Sequence, residues 1–396
     1  MFYFLLAFLS FSYISHAERT RYIDANVQGF TIAESIQNPD YAQAVLWSNT
    51  SFDLDFHFNK HISIDTKTDF LNRVNGFTRQ HARQSNLNGS NDVKTFFNNH
   101  GLTSRVLALN IHEENAELLV GKIRPSAAVG SSLRSKWNVF NRDWAGVYGT
   151  SMNGGYTNTN KVGLEFHSYF EMFRDSKQVF EIAFFKNNTT DMNDSAFSNN
   201  EALGFLIPTK LQNILHKPIA GDTSLPSSLS VLFIGQNQLV SGNIFNYSAY
   251  YRKQSVDHKV HALGANENTY IGSMQYERHA GASLIGTFLE IGYVGNAYGL
   301  HRLKEMYSTI SGYYSVDKFT TALVYNYYTM RGGESIGINN TSLIQSQFSF
   351  GYKLNPQYRI DIAYRQVRDR KSGNAGQGLG LSVFYNIGFN NTDERR

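Results

Sequence analysis

Residues 378–389, GLGLSVFYNIGF, end the stretch on which the fold turns. Every second residue, Leu381, Val383, Tyr385, Ile387 and Phe389, is apolar or aromatic. Between them lie Gly380, Ser382, Phe384, Asn386 and Gly388, small or polar except for one Phe. Upstream, Tyr358, Ile360, Ile362 and Tyr364 alternate with Arg359, Asp361, Ala363 and Arg365. Before that, Ile344, Phe348, Phe350, Tyr352 and Leu354 alternate with Gln345, Gln347, Ser349, Gly351 and Lys353, with Ser346 breaking the apolar set. A period of two means strand, because successive side chains point to opposite faces of a sheet. Leu354-Asn355-Pro356-Gln357 reads as a tight turn and 368–377 as a longer, charged loop. Three antiparallel strands result, with one greasy, aromatic face and one polar face. In a soluble sandwich the greasy face packs on a second sheet. In an outer-membrane barrel it faces lipid, and the polar face lines a watery lumen.

Composition favours the barrel. The 396 residues include 24 Tyr and 29 Phe against 3 Trp, and only 6 Pro, which suits long unbroken strands. The mean hydropathy of −0.36 excludes a helical membrane protein, and alternating strands with two aromatic girdles give such a polar yet aromatic average. With no Cys, disulfides, thiolate metal sites, Cys nucleophiles and a lipoprotein anchor are excluded. A net charge of +4 is too small to argue for nucleic acid. Residues 1–17, MFYFLLAFLSFSYISHA, read as a signal peptide cut after Ala17, too short for a comfortable spanning helix. One β-barrel domain is expected over 18–389, and 390–396 (NNTDERR) as a short periplasmic tail.

Taken in order, the first strand lies near Tyr22–Thr31 or Ala42–Trp47. Phe52, Leu54, Phe56 and Phe58 then alternate with Asp53, Asp55 and His57. Further strands are expected around Ile62–Phe70, 103–112, 116–123, 162–170, 177–186, 228–235, 239–252, 282–294, 305–315 and 318–330. The region 257–278 holds one strand or two, and Leu203–Leu215 a short helix interrupted by Pro208. Connections alternate between short turns and longer loops, the longest being 73–102, 124–159 and 187–227. With 257–278 taken as one strand, about sixteen strands give both ends on the short-turn side, the pattern of bacterial outer-membrane barrels.

The chain resembles the general porins of Gram-negative outer membranes along its mature length. The likeness is sharpest in the terminal strand, similar to the outer-membrane targeting signature, with Tyr385, Ile387 and Phe389 as its assembly signal. It is also sharp in 119–163, LVGKIRPSAAVGSSLRSKWNVFNRDWAGVYGTSMNGGYTNTNKVG, where a strand runs into a long loop and out into the next strand. The resemblance implies a homotrimer, insertion by the barrel assembly machinery, and a third outer loop, here 124–159, folded inward to narrow the pore.

That loop holds Arg124, Arg134, Lys136 and Arg142 against Asp143. As a pore constriction it would favour anions; as solvated loop charge it would meet lipopolysaccharide phosphates. Strand parity places Asp53, Asp55, Glu165, His167, Arg359, Asp361 and Arg365 on the lumen wall, since an Arg or Lys on the lipid face at mid-membrane costs about 2–4 kcal/mol. His57 beside Asp55, and His167 beside Glu165, are the neighbours that alternation alone produces. Asp53, Asp55 and His57 on one strand make a poor metal cage. H-E-x-x-H is absent and the histidines are scattered, so no catalysis, metal or cofactor is expected. The expected function is passive diffusion of small hydrophilic solutes with weak anion preference. The alternative is a non-conducting barrel serving as adhesin or receptor through its outer loops.

Overall fold

The computed structural model describes residues 22–37, 42–75, 101–123, 161–172, 176–186, 228–239, 242–255, 265–297, 300–334, 340–371, 373 and 375–390. Sixteen strands carry almost all of them. These are β1 (Tyr22–Gln37), β2 (Ala42–Asn59), β3 (Ile62–Asn75), β4 (Gly101–Glu113), β5 (Ala116–Ile123), β6 (Lys161–Phe170), β7 (Ser176–Lys186) and β8 (Ser228–Leu239). They continue as β9 (Asn243–Gln254), β10 (Glu267–Ala280), β11 (Ser283–Gly295), β12 (Lys304–Val316), β13 (Phe319–Arg331), β14 (Thr341–Asn355), β15 (Tyr358–Asp369) and β16 (Ala375–Asn390). Each pairs antiparallel with its sequence neighbours, and β1 pairs with β16, so the sheet closes into a barrel without an edge.

The two faces are reversed relative to a soluble protein. Outward side chains are apolar and open, as at Leu323, Ile310 and Leu379 (63%, 57% and 57% exposed). Inward ones are polar and closed: Glu290, Asn326 and Gln345 are all 0% exposed. Only a barrel whose solvent outside is hydrocarbon makes this arrangement favourable. Aromatic rings gather in two outward girdles. Tyr251, Tyr270 and Tyr293 contact in series near one end, with ring centroids 5.1 and 6.3 Å apart. Phe170, Phe233, Tyr247 and Phe245 do so near the other, as do Phe350, Phe319 and Tyr352.

At one end, the turn end, the strands β2–β3, β4–β5 and so on to β14–β15 join by short turns. The other, the loop end, carries the connections between Asn75 and Gly101, Ile123 and Lys161, and Lys186 and Ser228. Both positions considered for a first strand are strands, the second continuous with Phe52–Phe58. The turn expected at 236–238 lies instead between Leu239 and Asn243, where Gly242 takes φ +76°, a conformation open to glycine. The ambiguous region 257–278 supplies one strand, which begins at Glu267 and runs on to Ala280. The charged loop expected at 368–377 is shorter, because β15 and β16 extend their pairing to Arg368 and Ala375. Asn390, expected in the tail, closes β16 opposite Asp24. Residues 1–17, 391–396 and the expected helix Leu203–Leu215 lie outside the described residues.

Inside the wall, bulk is matched to glycine across strands. The Tyr313 ring lies over Gly286 and the Tyr307 ring over Gly292, so each aromatic covers a gap on the adjacent strand.

Candidate functional site: the lumen wall

Among the described residues, the inward positions of the strands form a polar surface that carries chemistry. Strand parity brings Asp53, Asp55, Glu165, His167, Arg359, Asp361 and Arg365 onto it, opposite the exposed apolar set. Asp53 meets Lys67 Nζ at 3.0 Å. Arg359 Nε donates to Asp361 Oδ2 at 2.7 Å, and its guanidinium sits 5.7 Å from the centre of the inward Phe384 ring. That ring, the odd member of its face in the sequence pattern, thus gains a cation partner. His57 stacks on Tyr22 (4.1 Å between centroids) and approaches Asp24 at 3.3 Å, across the β1–β2 pair.

Two further groups stand out. On β9–β13, Arg252 Nη2 donates to Glu267 Oε1 at 2.5 Å and Tyr328 OH to Glu305 Oε1 at 2.7 Å. Below them Asn246 donates to Gln275, Gln275 to Tyr313, and Tyr313 to Glu277, a relay of 2.9, 3.0 and 3.2 Å. On β5–β7, Glu117, Glu165 and Glu181 surround His167. Sequence reading missed Arg252, Glu267, Glu290, Glu305, Glu117 and Glu181. Each obeys the same period of two, so parity along its own strand was the available signal.

The buried ionisable groups are unequal in number. Among the described residues eight carboxylates (Glu165, Glu181, Glu267, Glu277, Glu290, Glu305, Asp361 and Asp369) are buried against three arginines (Arg252, Arg359 and Arg365). The residues expected at a constriction, Arg124, Arg134, Lys136, Arg142 and Asp143, lie outside the described residues. Of the assembly signal, Tyr385 and Ile387 are half-buried on the outward face, and the Tyr385 hydroxyl is hydrogen-bonded to Thr50 Oγ1. Phe389 pairs through its backbone with Ala25.

A closed, sixteen-stranded antiparallel barrel defines a class of fold, and solved structures are similar to it. The anion-selective porin from Comamonas acidovorans matches with TM-score 0.53 at 10% identity, covering 93% of this chain and 100% of that one. Salmonella typhi OmpF in complex with daunomycin matches with TM-score 0.53 at 9% identity, covering 92% and 97%. In-vitro folded OmpT of Vibrio cholerae, an outer membrane protein in trimer form, matches with TM-score 0.51 at 11% identity, covering 92% and 99%. No family model and no curated protein sequence matches the chain. The chain has the fold of the outer-membrane porins.

Proposed function

We propose that the protein is an outer-membrane channel through which small hydrophilic solutes and ions diffuse passively, working as a homotrimer. The observation that carries this reading is the reversed sheet: an apolar, girdled exterior around a charged interior, in a barrel of a size that leaves room for an aqueous path. The turn end faces the periplasm and the loop end the outside. The trimer form of the Vibrio cholerae barrel supports the oligomeric state.

The sign of selectivity follows from the wall. The sequence expectation of anion preference rests on loop 124–159, whose residues lie outside those described. The excess of buried carboxylates supports cation preference instead, since charge in a confined space with low-dielectric walls biases ion entry. The anion selectivity of the Comamonas acidovorans barrel is that protein's own.

The loop-end rim supports lipopolysaccharide as the surrounding lipid. There Lys253, Lys304, Arg331 and Arg368 are exposed and project outward, while Glu267, Glu305 and Asp369 at the same level are buried and project inward. Lys304 and Arg331 stand directly opposite each other on β12 and β13. Like charges so placed repel, and an anionic headgroup lying over both relieves that cost.

A second reading has its own support. Part of the inward wall on β11–β14 is closed to water: with Glu290, Asn326 and Gln345, Thr309 and Tyr307 are also 0% exposed. That favours an occluded barrel acting through its outer connections. Planar-bilayer recording of the refolded protein separates the two. Stable conductance steps in three equal sublevels are the expected result, and a folded barrel that never conducts would overturn the channel reading.

A further inference from the structure

We propose that Glu165, His167 and Glu181 bind a first-row divalent transition-metal ion, with Zn2+ as the representative, on the lumen wall. The backbone fixes the set. His167 and Glu181 are directly opposite on β6 and β7, and Glu165 precedes His167 by two residues on the same face. One ligand atom from each lies within 4.8 Å of the others. His167 Nε2 is 2.7 Å from Glu165 Oε1 and 3.6 Å from Glu181 Oε2.

The other ring nitrogen is already engaged. Nδ1 lies 3.1 Å from Glu117 Oε2, which also accepts from Tyr169 OH at 2.8 Å. Asn110 Nδ2 donates to the second Glu117 oxygen and, at 2.7 Å, to Asp65 Oδ2. A carboxylate accepting Nδ1–H fixes the tautomer that leaves a lone pair on Nε2, the arrangement that orients metal-binding imidazoles. Glu165 and Glu181, both 4% exposed, then converge on that lone pair. The Nε2 position between them holds a proton in the imidazolium and can take a metal ion in its place. When the metal ion enters, the Nε2 proton leaves to solvent and the lone pair forms the new bond.

A further observation concerns Asn110, the side chain that holds Glu117. Asn110 is 6% exposed, and its Oδ1 is buried without a hydrogen-bond partner. One bond beyond His167, through Glu117, the surroundings therefore hold an acceptor more than they hold donors. One imidazole with two carboxylates suits Zn2+, Ni2+ or Mn2+; Ca2+ and Mg2+ prefer shells of oxygen alone. Three protein ligands leave positions for water, so the bound ion stays reachable from the lumen. The ion would join β6 to β7 and make the wall locally less negative by about one charge, since a divalent ion replaces one proton.

The site is independent of whether the barrel conducts. The test is equilibrium dialysis of the full-length, detergent-folded protein against Zn2+ in a large excess of Mg2+, with the heat-unfolding midpoint as second readout. One Zn2+ per chain and a raised midpoint are expected. His167→Gln and Glu181→Gln abolish both, Glu117→Gln weakens binding about 10–100-fold, and His57→Gln changes neither. No retained Zn2+, equal displacement by Mg2+, or undiminished binding in His167→Gln would each overturn the proposal. If the His167 variant does not fold, Co2+ added to the unaltered protein decides: a ligand-field spectrum unlike that of the aqueous ion supports the site, and an aqueous spectrum refutes it.

Discussion

Gly292 and Gly272 face opposite sides of the same region, and a methyl group would meet different surroundings at each. A Cβ at Gly292 would come 2.0 Å from the Tyr307 ring, which is fully buried and has nowhere to move. A Cβ at Gly272 meets nothing within 4 Å. Gly292→Ala should therefore destabilise the barrel by about 1–3 kcal/mol, the usual cost of overfilling a packed site, while Gly272→Ala stays near neutral. Urea unfolding of the detergent-folded protein measures both. Residue by residue, the sequence was informative wherever a charge broke an apolar alternation, as at Arg359 and Asp361. It was silent on partnerships: Glu117 and Glu181 reach His167 from strands far enough away in the chain that only the register of β5, β6 and β7 unites them.

For the strands, the lipid face and the rim make distinct predictions. Leu323, on β13, is the most exposed of the large outward side chains. Leu323→Arg should cost about 2–4 kcal/mol for a charge held in hydrocarbon, read as a lowered unfolding midpoint in bilayers, whereas inward Val324→Thr should be far milder. At the rim, Lys304→Glu with Arg331→Glu should weaken retention of lipopolysaccharide on the purified barrel. Equal retention would remove the rim from lipid recognition. The strands themselves were legible because a period of two repeats over many residues. Their ends were less so. The polar Gln236-Asn237-Gln238 reads as a turn but belongs to β8, which runs on to Leu239, and β10 begins inside a stretch whose composition does not separate loop from strand. β1 and the start of β2 alternate too weakly to read alone, and closure of the barrel holds them in place.

At the level of the whole barrel, selectivity sums over the wall. A salt gradient across the open channel should give a reversal potential of cation-selective sign, and Glu290→Gln with Glu305→Gln should move it toward zero. An anion-selective reversal in the unaltered protein would return the determining charge to segment 124–159. The closing pair of strands, β1 with β16, has a further consequence in time. Fifteen of the sixteen ladders join strands that follow one another along the chain, but the last joins its two extremes. That contact has the greatest loop to close and forms slowest. Until it does, the outer edges of β1 and β16 stand open to any passing strand, and a chain stalled before closure is an adhesive sheet instead of a barrel.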